Sequence, residues 1–150
     1  MSYVDYIGRT VDIALMSGDL SRYVPQTLSI KDGLAITGIR KLAQRFIMRL
    51  LTTKGSIVYD QSFGSEFMST LRSGQLRTDY DVRAIFSAAV ADIETQLLAE
   101  ETENTPLDEQ FKSAELVRVT LGSDKISILV ELISQADNDY KIIVPIKGIV

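Results

Sequence analysis

The sequence has neither cysteine nor histidine among its 150 residues. Without cysteine there is no disulfide, no thiolate nucleophile and no sulfur-ligated metal. Without histidine the usual metal ligand and the usual general base near neutral pH are both missing. Catalysis then falls to carboxylates or lysine. Basic excess is absent too: the net charge is −4, the wrong sign for a phosphate-backbone binder. No apolar run approaches the roughly 18 residues that a membrane-spanning helix needs. The first ten residues, MSYVDYIGRT, lack a charged segment followed by an apolar stretch, so no signal peptide is expected. The chain is expected to stay in the cytoplasm in which it is made. There is no G-x-G-x-x-G or Walker pattern, no internal repeat and no low-complexity segment. "DNDY" at Asp137–Tyr140 lacks the glycine and terminal glutamate of a twelve-residue calcium loop and reads as a turn. Neither a cofactor nor a metal is expected.

What is present fits one domain, residues 1–150, with a core large enough to need no staples. "TVDIALMSGDL" alternates apolar and polar residues, with Val11, Ile13 and Leu15 on one side, then turns at Ser17-Gly18-Asp19. It reads as a short strand. "TLSIKDGL" is a second short strand closed by Asp32-Gly33, and Pro25 opposes a helix between them. A helix is predicted from about Ile36 to Leu51, with Ile39, Leu42, Ala43, Phe46, Ile47, Leu50 and Leu51 on one face. Arg40, Lys41, Gln44, Arg45 and Arg49 take the other face. On an acidic protein this basic face reads either as solvated or as a docking face for an acidic partner.

After Gly55, "SIVYD" reads as a strand or extended piece and "SEFMSTL" as a short helix ended by Ser73-Gly74. A long helix is predicted from about Asp79 to Glu100, with Val82, Ile85, Phe86, Ala89, Val90, Ile93, Leu97 and Leu98 as its apolar stripe. Thr78 and Asp81 have the spacing of a capping box. An acidic loop containing Pro106 follows. Three alternating segments close the chain: one with Val117, Val119 and Leu121 inward, one with Ile126, Ile128, Val130 and Leu132, and one with Ile142, Val144 and Ile146. Turns at "GSD" and "QADND" separate them. The expected class is α+β: two amphipathic helices packed on a C-terminal antiparallel three-stranded meander, with short N-terminal strands. Pro145 donates no ladder hydrogen bond, which assigns its strand to a sheet edge or a bulge.

Asp60 and Glu66 are the only pair that invites an acid/base reading, as in glycoside hydrolysis. Six residues across a glycine-containing turn do not fix their separation in space. The plainer reading gives Gly55 and Gly64 backbone conformations closed to other residues, with the polar groups capping the next turn.

The order of these elements resembles the baseplate wedge, or sheath-initiator, family of contractile phage tails and related injection machines, sometimes labelled lysozyme-like. Members carry a leucine-rich helix running into L-T-x-x-G-E, then F/Y-G-S/C a few residues later. Here the match is Leu51-Thr52-Thr53-Lys54-Gly55-Ser56, followed by Phe63-Gly64-Ser65-Glu66-Phe67. "DIALMSGDL" at Asp12–Leu20 is similar to a D-x-x-L-x-x-G-D-L stretch near the start of some members. Serine stands at position 56 where the family often has an acid, and the family's Glu-Pro-Arg element is reduced to Thr105-Pro106-Leu107.

The resemblance implies a structural protein without a catalytic cycle, resident in the virion's tail baseplate. Its implied partners are baseplate wedge proteins and the tail sheath protein, with tube or hub proteins as further neighbours, and neither nucleic acid nor membrane. Gly55, Phe63 and Gly64 are then structural turn residues. Arg40, Lys41, Arg45 and Arg49 are candidate wedge contacts. The C-terminal meander from about Glu115 to Val150, with Tyr140, Ile142, Val144 and Ile146, is the candidate acceptor for extended sheath arms, with the edge away from Pro145 as the place expected for them. A small carboxylate-dependent cell-wall hydrolase using Asp60 and Glu66, and an adaptor unrelated to tails, are the rival expectations.

Overall fold

The computed structural model describes residues 12–13, 16–17, 27–28, 35–74, 78–123 and 125–147. The expected features at Val11, Leu15, Gly18, Asp19, Pro25, Asp32, Gly33 and Asp124 lie outside the described residues. Four two-residue strands come first: β1 (Asp12–Ile13), β2 (Met16–Ser17), β3 (Thr27–Leu28) and β4 (Ala35–Ile36). β1 pairs with β4 and β2 with β3, both antiparallel. Three helices follow, α1 (Ile39–Leu51), α2 (Phe67–Arg72) and α3 (Asp79–Glu100). A single 3-10 turn at Leu107–Glu109 leads into the meander β5 (Phe111–Leu121), β6 (Lys125–Ser134) and β7 (Asp139–Lys147), in that spatial order. The fold is α+β, with helices covering one face of an antiparallel sheet.

α1 starts three residues later than its periodicity suggests. Ile36 is drawn into β4, opposite Asp12, and Gly38 at φ 67° breaks the path into the helix. No residue of the first turn is acidic and Gly38 gives no side-chain cap. The N–H at the helix start is met instead from 71 residues away: the Gly38 N–H donates to Glu109 Oε1 at 3.0 Å in the interior. α3 carries the capping box read from its sequence, with Thr78 and Asp81 bonding each other's backbone. Of its stripe, Val82, Phe86, Ala89, Ile93 and Leu97 are buried and Ile85 and Val90 half-buried, while Leu98 is exposed.

The core lies between the helices and the sheet. Phe46 of α1 stacks on Phe111 of β5 at 6.0 Å and meets Phe86 of α3 at 6.3 Å; Phe86 meets Phe67 of α2 edge-on at 6.0 Å. These four buried rings tie four elements together, each ring contributing roughly 1.5–3 kcal/mol by burial. From the sheet, Ile126, Ile128, Val130, Leu132, Tyr140, Ile142, Val144 and Ile146 are all buried.

β5 departs from simple alternation. Its register steps from Leu116↔Val130 to Arg118↔Leu129, leaving Val117 as an extra residue, a β-bulge. Ala114 and Leu116 therefore share the inward face with Val119 and Leu121, which lie opposite Ile128 and Ile126. Val117 is pushed off that face and is exposed, which corrects its predicted inward position, and Leu121 is exposed at the strand's end. "SIVYD" is a second correction: residues 56–60 form bends and turns rather than a strand. Among the described residues no helix is long and apolar enough to cross a membrane.

Candidate functional site

The motif segment folds as a loop with a closed base. Thr53 and Ser65 form an isolated parallel β-bridge. The Ser65 N–H donates to Thr52 O at 2.9 Å and the Lys54 N–H to Ser65 O at 3.2 Å. Gly64 sits at φ 106°, and a Cβ there would lie 2.4 Å from the Thr52 carbonyl oxygen. Both facts require glycine. Gly55, at φ 85°, makes the turn on the other side of the base. The Ser65 hydroxyl, buried, bonds the carbonyls of Arg49 and Leu50 at the end of α1.

Side chains from both long helices pin this base. Gln96 of α3 grips Gly64 at both ends: the Gly64 N–H donates to Oε1 at 3.1 Å, and Nε2 donates to Gly64 O at 2.7 Å. Lys54 pairs with Asp92 of α3 at 3.0 Å. The Arg49 guanidinium lies 4.7 Å from the centre of the Phe63 ring, within cation–π reach.

Beyond the base the loop projects into solvent. Val58 is 90% exposed and Tyr59 92%. The tip is tied by its own bonds: Asp60 N–H to Ile57 O, Phe63 N–H to Asp60 O, and Gln61 Nε2 to Ile57 O at 3.0 Å. Asp60 Oδ1 accepts from the Ser62 N–H and hydroxyl. Glu66 stands at the start of α2 and accepts from the Ser69 hydroxyl. Asp60 and Glu66 thus each serve a separate local turn. Among the described residues no group of three or more histidine, cysteine or acidic side chains is placed to hold a metal.

The four cations of α1 are engaged within the chain. Arg45 bonds Glu100 at 2.5 Å, and the buried Arg49 bonds the other oxygen of the same carboxylate and the Arg45 carbonyl. Burial holds the Arg49 pKa below the usual guanidinium range, against the opposing pull of Glu100. Lys41 lies 3.7 Å from the buried Glu109. Arg40 hydrogen-bonds Tyr140, whose pKa is raised by burial and partly drawn back by that same arginine. The basic face of α1 is therefore paired within the chain, with the acidic residues at positions 100 and 109, along a seam that stays partly exposed at Arg45 and Glu100. Sequence reasoning missed Glu100, Glu109 and Gln96. The one signal on offer was the match of sign between the basic face of α1 and the acidic end of α3.

Tyr140, Ile142, Val144 and Ile146 point into the core, so what β7 can offer a partner is its edge rather than these side chains. The Ser134 N–H donates to Asn138 O at 3.0 Å, which makes Ser134 and Asn138 a hydrogen-bonded pair. Such pairs alternate along an antiparallel ladder. Following the register to Ser127↔Pro145, that pair is of the non-bonded kind, so the Pro145 nitrogen faces away from β6 and costs the ladder nothing. The backbone groups of Asp139 and Ile143 face the same way. Among the described residues no strand pairs with that side of β7. The opposite edge of the sheet is closed at its bulge: Arg83 of α3 donates to Leu116 O at 2.5 Å and to Val117 O at 3.4 Å.

A scan of family models, a search of curated proteins and a search of solved structures each found no match to this chain.

Proposed function

We propose that this protein is a structural subunit of a contractile-tail baseplate, one that joins the wedge and offers the outer edge of β7 to an extended arm of the sheath protein. The observation that carries the reading is the asymmetry of the sheet. β5 is bulged and capped by Arg83, whereas β7 has one strand neighbour among the described residues. An edge strand is either guarded, as Pro145 guards one end of β7, or an acceptor, and strand addition uses backbone hydrogen bonds for affinity. The motif segment adds support, since its glycine, serine and aromatic residues build a rigid connector between the two helices. Pro145 limits an added strand to the stretch around Asp139–Ile143, where outward N–H groups occur.

The test is Ile143→Pro. Position 143 lies opposite Leu129, two residues from Pro145 along the ladder, so its N–H also faces outward. Proline there leaves the bonds to β6 in place and removes a donor from the outer edge. Folded Ile143→Pro protein should enter baseplates that form but do not start a sheath. Normal sheath polymerisation on such baseplates would overturn the proposal.

A further inference from the structure

Val58 and Tyr59 are adjacent and almost fully exposed. Scattered exposed apolar side chains are ordinary. Two in sequence on the tip of a braced loop are a different matter. The loop closes at the Thr53–Ser65 bridge, Gln96 holds Gly64 from both sides, and Arg49 lies over Phe63. Bonds from Gln61 to the carbonyls of Ile57 and Val58 fix the turn under the two side chains. A tip held this way gives up little conformational entropy on binding. Tyrosine also combines large contact area with few rotatable bonds, the property that makes it common among binding anchors.

The charge beside the tip defines the partner's rim. The loop from Thr53 to Ser65 contains two charged residues, Lys54 and Asp60. Lys54 is neutralised by Asp92. Asp60, next to Tyr59, uses Oδ1 for Ser62; its charge reaches Arg49 only as the smallest of the influences on that guanidinium, and it forms no salt bridge within 4.0 Å among the described residues. A second copy of this chain, at net −4, has the wrong overall sign to receive it. We infer that the tip is a pre-organised anchor: Val58 and Tyr59 enter an apolar pocket on a partner protein, and a lysine or arginine at the pocket's rim meets Asp60. This anchor rests on the loop's own geometry and goes beyond the sheath-arm reading of β7.

The full chain carrying the photo-crosslinking residue p-benzoylphenylalanine in place of Tyr59 is expressed in the cells that make the protein, irradiated, and the joined peptides are mapped by mass spectrometry. The same group in place of Tyr80, also exposed, is the control. Position 59 should join one other protein, at an apolar stretch beside a lysine or arginine, and Tyr80 should not. Asp60→Lys should abolish that crosslink and Asp60→Glu should keep it. With the mapped partner purified, Tyr59→Ser should weaken binding by roughly 30-fold or more. No crosslink from position 59, a crosslink to a second copy, a site without cations, or indifference to Asp60→Lys would each overturn the anchor. A mapped partner that belongs to no tail would keep the anchor and remove the baseplate reading. Anchor failure with sheath initiation still lost in Ile143→Pro would do the reverse.

Discussion

The base and the tip of one loop obey opposite rules. At the base, Gly64 and Ser65 are buried, and the backbone groups of Thr52, Gly64 and Ser65 and the Lys54 N–H all have partners. At Gly64 the geometry excludes every other residue. A few positions away, Val58 and Tyr59 touch little of their own chain. Folding determines the base strongly and the tip weakly. A residue type that folding does not demand is free to serve contact with something else, and two large apolar residues in water are a costly choice without such a contact. The contrast separates residues that keep this chain folded from residues that it presents.

The largest expected effect comes from breaking the base. Gly64→Val places a branched side chain at φ 106° and drives its Cβ into the Thr52 carbonyl. Backbone strain and forced overlap together should cost about 2–5 kcal/mol. Denaturant titration should show a midpoint far below that of the parent. An unchanged midpoint would mean that the base is as permissive as the tip and would remove the distinction.

How far the sequence reveals this contrast depends on the range of the interaction. Local patterns were legible: the span of α3, its Thr78 and Asp81 capping box, the meander, and the need for glycine at position 64. "SIVYD" misleads because Ile57, Val58 and Tyr59 are strand-forming residues, yet the closed base between Thr53 and Ser65 leaves no neighbour for a strand to pair with. The bulge at Val117 is invisible to alternation alone, because a single extra residue swaps parity without changing composition. The cations of α1 looked like a surface because their partners lie far along the chain: Glu100 is 51 residues from Arg49, and Glu109 caps Gly38 across 71. No local window contains both ends of such a bond. The same limit applies to the candidate edge. Pro145 announces an edge strand, but only the register shows that its nitrogen faces outward and that Arg83 closes the far side.

A middle-sized effect is expected from loosening the brace while sparing the backbone. Gln96→Ala removes both side-chain bonds to Gly64 from a half-buried position. The loss should be about 1–2 kcal/mol, since partly buried groups left without partners carry a real desolvation cost. Hydrogen exchange across residues 56–63 should quicken by more than exchange in α3 does. Equal quickening everywhere would show that Gln96 stabilises the fold at large rather than tying this loop to it.

The smallest effect is the one most informative about the tip. Val58→Ser with Tyr59→Ser removes two large apolar groups that sit almost wholly in water. Little buried area is lost, so the change in stability should stay within about 0.5 kcal/mol, as for surface positions in general. The bonds that shape the tip come from Gln61, Asp60 and backbone groups, and both substitutions leave them intact. A loss above about 1 kcal/mol in thermal or denaturant unfolding would place these side chains in the fold's own energetics. That result would join the tip to the base. A neutral double variant that folds normally but loses its crosslinked partner separates them: the same loop would then hold one end for stability and offer the other for recognition.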